Sequence, residues 1–359
     1  MAYTTINKST DHFNTKLYTG SGSAQSLTGV GFQPDWIWIK NRSYADHHKV
    51  VDRVRWVSSS NSAQLSPNQD SAAGTQGIIT SFDSDGFTLT TGDRGWNSSN
   101  GDNFVSWNWK ANGQGSSNTD GTINTTYTSA NTTAGFSISQ YTGTGSNATV
   151  GHGLGAVPQM MIVKNLSTSV DWIVYHSKLG NTKNLRLNTN EQVDTSGTIW
   201  NNTTPTSSVF SIGTASAVNG SGNNFVAYCF TEKKGFSKFG QYKGNGSADG
   251  AFVYTGFKPA FVFCRFIDAS NGYDYIMYDN KRPTVSGVSY DINPINYILE
   301  ANTSDAENTS SNFKCDFLSN GFKFRGTESN VNDNGYDYIY WAIAAAPLVG
   351  SNNIPCTAR

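Results

Sequence analysis

Hydrophobic and polar positions along this chain alternate with the two-residue period that a β-strand imposes on its side chains. The alternation is clearest at 104–109 and 225–230, where every second residue is large and apolar. In the first of these stretches, Val105, Trp107 and Trp109 fall on one face, which we predict to be core. Because no 3.6-residue period competes with this pattern, the sequence predicts an all-β chain.

A second pattern combines a proline with a run of residues that is apolar on both strand faces. Pro34, Pro158 and Pro259 each stand before such a run, and each run ends at a basic residue. Proline is tolerated at the first position of a strand, and a strand that is apolar on both faces must be covered on both sides. The pattern therefore predicts a central strand in each third of the chain.

Internal repetition organises the whole sequence. The hexamer YTGSGS at 18–23 returns as YTGTGS at 141–146 and as YKGNGS at 242–247, and the proline run follows each copy. Repetition at this scale indicates a triplicated unit. Since a strand apolar on both faces needs cover and a second sheet can supply it, we predict three tandem related β-sandwich domains.

These repeats divide the chain into six predicted segments. They are an N-terminal arm at 1–11, a first sandwich at 12–113, a linker at 114–135, a second sandwich at 136–235, a third sandwich at 236–347 and a C-terminal tail at 348–359. The linker is assigned because its residues are mostly Gly, Ser, Asn and Thr. The second and third sandwiches adjoin without a spacer, so we expect them to pack as a rigid pair.

Composition argues against several classes of function. The formal net charge is −1, with 25 basic and 26 acidic residues, so we expect no nucleic-acid partner. No basic head with an apolar stretch starts the chain, and no window reaches the apolar length of a membrane span. The four cysteines lack CxxC spacing, so we interpret them as small hydrophobic residues rather than zinc ligands. They are Cys229, Cys264, Cys315 and Cys356.

Motifs that could bind phosphate or metal each have a simpler interpretation. The glycine hexamers lack the Lys-Ser/Thr of a phosphate loop, so they predict turns. The segment at 83–86 begins like a calcium loop but lacks the later ligands, and Asp-Gly between aromatic residues favours a hairpin. His47 and His48 are adjacent and would point to opposite strand faces. We therefore predict no metal site and no cofactor.

Catalytic residues are not evident either. Asp46, Asp171 and Asp274 recur in the repeats, but the neighbours of Asp171 are apolar, so we interpret these acids as strand starts. None of the five histidines recurs at a matching place in all three units, and no Gly-x-Ser-x-Gly motif is present. We predict that the protein is not an enzyme.

Three tryptophans are candidates for ligand binding. Trp56, Trp96 and Trp200 stand among Ser, Asn, Gly and Thr in predicted loops. An exposed aromatic ring can stack on the face of a sugar while nearby amides and hydroxyls bond its hydroxyl groups. The alternative is that each indole fills the interior of its own loop.

The chain resembles the repeat-containing tail-fibre and virion structural proteins of tailed bacteriophages that infect marine bacteria. The resemblance rests on HFNTKLYTG at 12–20, GFQPD at 31–35, NFVAYCF at 224–230 with GFSKFG at 235–240, YTGFKPAFV at 254–262 and NNIPCTAR at 352–359. It implies a virion component with lectin-like, jelly-roll β-sandwiches displayed on the external surface of a particle that is assembled in the host cytoplasm. It carries over no catalytic residue.

These observations together lead to a functional expectation with two alternatives. We expect a non-enzymatic component of a tail fibre or external appendage that contacts other virion proteins, binds host-surface glycan and forms a homo-oligomer, with a trimer favoured. A capsid decoration or head-appendage protein is the first alternative, because neither an anchoring domain nor a heptad shaft is evident. A polysaccharide depolymerase is the second alternative, which would need carboxylates clustered in a cleft.

Overall fold

The computed structural model describes residues 3–268, 272–282, 284–285, 288–289 and 292–350. Before and within the first repeat lie a 3-10 helix, Ser9–Asp11, and strands β1 (Phe13–Thr19), β2 (Gln25–Thr28), β3 (Trp36–Asn41), β4 (Lys49–Asp52), β5 (Ile79–Asp83), β6 (Gly86–Leu89) and β7 (Asn103–Trp109). Next come β8 (Tyr127–Asn131), β9 (Phe136–Thr142), β10 (Ala148–Gly151), β11 (Met160–Asn165), β12 (Ile173–His176), β13 (Lys183–Arg186), β14 (Asp194–Thr195), β15 (Val209–Ile212), the helical turn α1 (Ser216–Asn219) and β16 (Asn224–Phe230).

The third repeat contains the remaining elements. They are β17 (Ser237–Lys243), β18 (Phe252–Tyr254), β19 (Phe257–Phe266), β20 (Ile276–Asp279), β21 (Thr284–Val285), β22 (Val288–Ser289), β23 (Leu299–Glu300), a 3-10 helix (Ser311–Phe313), β24 (Cys315–Leu318), β25 (Gly321–Phe324), α2 (Ser329–Asn332) and β26 (Asp337–Pro347). In the described part of the chain, no helix is long and apolar enough to cross a membrane.

Each repeat builds a large and a small antiparallel sheet. The large sheets have the orders β1-β7-β3-β4, β14-β13-β12-β11-β16-β9-β8 and β17-β26-β19-β20-β23. The small sheets are β2-β6-β5, β10-β15 and β18-β25-β24. In all three large sheets the first and the central strand of the repeat flank its last strand, so the same topology recurs. The all-β sandwich prediction is confirmed.

A separate core lies between the two sheets of each repeat. In the first repeat, Ile37 and Ile39 of β3 pack with Phe87 of β6, and all three side chains are fully buried. Corresponding clusters fill the second and third repeats. The hairpin predicted at 83–86 is present, since β5 pairs with β6 across a short turn, and β24 pairs with β25 in the same way in the third repeat.

The opposite faces of the three large sheets form one further core, which we call the shared core. The ring of Trp36 in β3 lies 4.7 Å from that of Tyr228 in the second repeat, and Trp109 lies 5.5 Å from Trp341 in the third. The rings of Phe230 and Trp341 are 4.4 Å apart. Aromatic packing of this kind buries a large apolar area. The central strands are therefore covered on both faces, as predicted.

Hydrogen bonds between the repeats close a ring with a pseudo-threefold relation. At the end of the fourth strand of each repeat, a polar side chain contacts the next repeat. Tyr228 Oη donates to Asp52 at 2.7 Å, His176 Nε2 faces the Tyr340 carbonyl at 3.2 Å, and Trp107 Nε1 donates to Asp279 at 3.0 Å. The third repeat thus contacts the first in the same sense as the first contacts the second.

The basic residues that end the central strands contact the preceding repeat. Lys40 donates to the Ser304 carbonyl at 3.1 Å, Lys164 to that of Asp70 at 3.0 Å and Arg265 to that of Glu191 at 2.6 Å. Burial lowers the pKa of Lys40 and of Lys164 to about 8. These cations are therefore part of the interfaces between repeats.

Two predicted boundaries need correction. The segment 114–135 is not a free linker, because β8 pairs with β9 and Ile123 is 7% exposed in the second sandwich core. The second and third repeats pack together as expected, and the first repeat shares the same core with both. In the predicted arm, Ile6 packs into the shared core. Of the predicted tail, residues 351–359, including Cys356, lie outside the described residues.

Candidate ligand-binding groove

The three tryptophans selected from the sequence do not form a common surface. Trp96 is 2% exposed and Trp200 is 1% exposed, so the expectation that they lie open to a ligand is wrong. Both rings pack into the core of their own sandwich. Trp56 is partly buried, and its Nε1 donates to the Ile79 carbonyl at 3.1 Å.

The glycine hexamers are structural turns. Ser21 N, Thr144 N and Asn245 N of the three hexamers donate to a buried asparagine in their own repeat, at 2.8–3.0 Å. These asparagines are Asn97, Asn219 and Asn332. The turn interpretation is therefore confirmed, and the hexamer glycines are accounted for without a phosphate.

An open groove lies at the sandwich edge of the third repeat, and we call it the third-repeat groove. Its volume is about 570 Å³. Its walls are the edge strands β17 and β18, together with residues from the neighbouring second repeat. The lining side chains are those of Lys178, Glu232, Lys238, Gln241, Lys243, Phe252, Tyr254 and Tyr340.

The floor of the groove depends on a glycine. On β17, Lys238 and Gly240 point to the sandwich side, where a Cβ atom at Gly240 would lie 2.4 Å from the ring of Tyr340. A side chain at this position would therefore clash with Tyr340. Because the residue is glycine, the Tyr340 ring can form the floor of the groove. Burial raises the pKa of Tyr340, which keeps its hydroxyl protonated.

Two exposed aromatic rings project from one wall. Phe252 and Tyr254 are 47% and 51% exposed, whereas Val253 between them is buried in the sandwich core. Residues two apart on a strand share a face and are separated by roughly 7 Å. Tyr3 lies beside Tyr254; burial, followed by the hydrogen bond to Tyr254, raises its pKa to about 12. The rings therefore form a short aromatic row.

The other wall carries cations. Lys178 follows β12 of the second repeat, and Lys238 lies on β17 of the third. Within the described residues, neither ammonium group has an ion-pair partner. Lys243 is paired with Asp337 at 3.1 Å. The groove also holds Glu232, whose carboxylate accepts from the backbone N–H of Phe239 at 3.4 Å.

In the first and second repeats, a side chain occupies the position that corresponds to Gly240 in the third. Lys16 of β1 stands where the third repeat has Gly240, and Asn14 on the same strand donates to the Val30 carbonyl at 2.9 Å. In the second repeat Ser139 takes this position and donates to the Gly151 carbonyl at 3.0 Å, while β8 covers the edge of β9. Like β17, β1 is an uncovered edge strand, so the glycine at this position, rather than the open edge, is particular to the third repeat.

Sequence reasoning missed this groove because its residues lie far apart in the chain. One usable signal was present: β18 reads apolar at all three positions, although the strand is at a sheet edge. A three-residue edge strand cannot bury both faces, so an outward aromatic pair indicates a contact surface. The replacement of Lys16 and Ser139 by Gly240 was a second signal.

The aspartates that recur in the repeats bind neighbouring side chains. No group of three or more His, Cys, Asp or Glu side chains with metal-binding geometry occurs among the residues that the structure describes. Asp171 accepts from Asn188 at 2.8 Å and Asp274 accepts from Asn302 at 2.6 Å, just before β12 and β20. These recurring carboxylates therefore hold neighbouring loops.

Comparison with known proteins adds a family assignment. A family model described as a domain of unknown function (DUF7483) matches residues 8–347. No curated protein matches the chain, and no solved structure matches it.

Proposed function

Because the chain belongs to the DUF7483 family, a domain of unknown function, we propose a role from its own geometry: it is a non-enzymatic virion appendage protein that binds host-surface glycan in the third-repeat groove. The observation that carries the binding role is the pair of exposed rings, Phe252 and Tyr254, beside polar and cationic side chains. Sugars are bound in this way, by stacking of their apolar faces and hydrogen bonding of their hydroxyl groups. The virion context comes from the sequence resemblance.

The test is binding of the intact protein to an array of bacterial surface glycans. The double variant Phe252→Ala/Tyr254→Ala should lose about tenfold or more in affinity, since each stacked ring contributes on the order of 1 kcal/mol. Tyr44→Ala is the matched control, because Tyr44 is 46% exposed in the first repeat and lies outside the groove. Equal binding by all three proteins would refute the groove as the glycan site.

A structural role on the capsid is the second candidate function. The closed ring of three repeats favours it, because one chain then presents related surfaces in three directions, as a partner with threefold symmetry requires. Antibody labelling of intact particles distinguishes the two roles. Label on the tail or an appendage supports the adhesive role, and label confined to the capsid shell supports decoration.

A further inference from the structure

We propose that the ligand of the third-repeat groove is an anionic saccharide whose acidic groups are bound by Lys178 and Lys238. This inference rests on the proposed glycan-binding function and names the ligand class. Of the three lysines that line the groove, Lys243 is paired with Asp337, which leaves Lys178 and Lys238 beside the single carboxylate of Glu232, although the whole chain has a net charge of −1. Its positive charge is therefore local to the groove.

The backbone of Lys178 is held in place by the contact between the second and third repeats. His176 ends β12 and lies 3.2 Å from the Tyr340 carbonyl, and its Nδ1 accepts from the backbone N–H of Lys178 at 3.3 Å. This bond fixes the backbone from which the Lys178 side chain extends toward the groove. Lys238 lies on β17 of the third repeat, on the same cationic wall. An acidic group bound against this wall would contact cations from two repeats.

The aromatic row favours a saccharide over other polyanions. Phe252 and Tyr254 on β18 line one side of the groove and are exposed, while the cations lie on the other. A sugar ring with a carboxylate or sulfate substituent carries an apolar face and a charge in one unit, which suits both walls. A nucleic acid presents a phosphate at every nucleotide and is bound by longer basic tracks. Two free lysines are too few for such a track.

The experiment compares the affinity of the intact protein for dextran sulfate with its affinity for uncharged dextran, which has the same sugar backbone. Calorimetric titration at 50 mM and 300 mM NaCl should show binding of dextran sulfate that weakens with salt, and at least about tenfold weaker binding of dextran. Lys178→Gln and Lys238→Gln should each weaken dextran sulfate binding about fivefold. Lys183→Gln, an equal charge change at an exposed position of β13, should leave it unchanged.

Each contrary result identifies what fails. If dextran and dextran sulfate bind equally and only the Phe252→Ala/Tyr254→Ala variant weakens binding, the ligand is a neutral glycan and only the charge inference is overturned. If Lys183→Gln weakens binding as much as the groove variants, the attraction is nonspecific and the inference also fails. Tighter binding of oligothymidylate or polyglutamate than of dextran sulfate would overturn the saccharide class itself. Thermal midpoints of the variants confirm that each protein is folded.

Discussion

In each repeat, one buried asparagine binds the backbone of the glycine-hexamer turn. Asn219 accepts from the N–H of Thr144 and donates to the carbonyls of Ser146 and Gly213, at 2.6–2.8 Å. Asn97 and Asn332 make corresponding bonds in the other repeats. The side chain therefore replaces the backbone partners that a tight glycine turn cannot supply itself.

We expect Asn219→Ala to lower the free energy of unfolding by about 1–3 kcal/mol, because it leaves the buried Gly213 carbonyl, and the half-buried bonding groups of Thr144 and Ser146, without their partner. Asn147→Ala is the control, since Asn147 is exposed in the same turn. Urea denaturation followed by circular dichroism measures both. A loss of less than about 0.5 kcal/mol in Asn219→Ala would contradict the role assigned to this side chain.

Protonation of His176 should destabilise the contact between the second and third repeats. Burial lowers the pKa of His176 to about 4, against an ordinary value of 6.5. Between these two values the unfolded chain binds a proton that the folded chain does not, so the stabilisation present above pH 6.5 is lost as the pH falls toward 4. At pH 4.5 this one group accounts for about 2 kcal/mol.

The measurement is the free energy of unfolding at pH 7.5 and pH 4.5 for the native protein and His176→Gln. Glutamine can replace the hydrogen bonds of His176 to the Tyr340 carbonyl and the Lys178 N–H, but it does not titrate. The free energy of unfolding of the variant should therefore fall by about 2 kcal/mol less between the two pH values. The difference between the proteins isolates His176 from the carboxylates that titrate in the same range. Equal losses would show that His176 is not neutral in the folded state.

At the scale of elements, one extra strand and one glycine distinguish the edges of the three sandwiches. β8 covers the edge of β9 in the second repeat, whereas β1 and β17 are both uncovered, and only β17 has a glycine at the position of Gly240. Exposed strand edges are usually protected in natural proteins. The open edge beside the aromatic rings is consistent with a ligand that binds in the third-repeat groove.

The segment that contains β8 should resist proteolysis despite its linker-like composition. Native protein treated with proteinase K should show no cleavage within 114–135, because its backbone is bonded to β9 and Ile123 is anchored in the core. Ile123→Ser should expose the segment to cutting, which mass spectrometry of the fragments detects. Asp120→Asn, an exposed change nearby, serves as the control, and rapid cleavage in the native protein would restore the linker interpretation.

The sequence allowed the strands and sandwiches of the whole molecule to be predicted, but not the arrangement of the repeats. The strand period of 104–109 and the Asp-Gly hairpin are local signals, and both predicted elements are present. The shared core is a contact among distant strands, and a strand that is apolar on both faces does not say what covers each face. Trp96 and Trp200 were misplaced for the same reason, because polar neighbours in sequence do not exclude burial by a distant sheet. The groove likewise depends on Lys178 from another repeat.

Because the repeats share a core, the protein should unfold as one cooperative unit rather than as three domains. Trp36 is 1% exposed and packs on Tyr228 and Phe136 of the second repeat, so Trp36→Ala should cost about 3–5 kcal/mol. It should shift a single transition, with tryptophan fluorescence and circular dichroism changing together in urea. Val57→Ala, at a position 67% exposed, should leave the transition in place. Two or more resolved transitions, with Trp36→Ala moving just one of them, would show that the ring of repeats is a loose association of independent sandwiches.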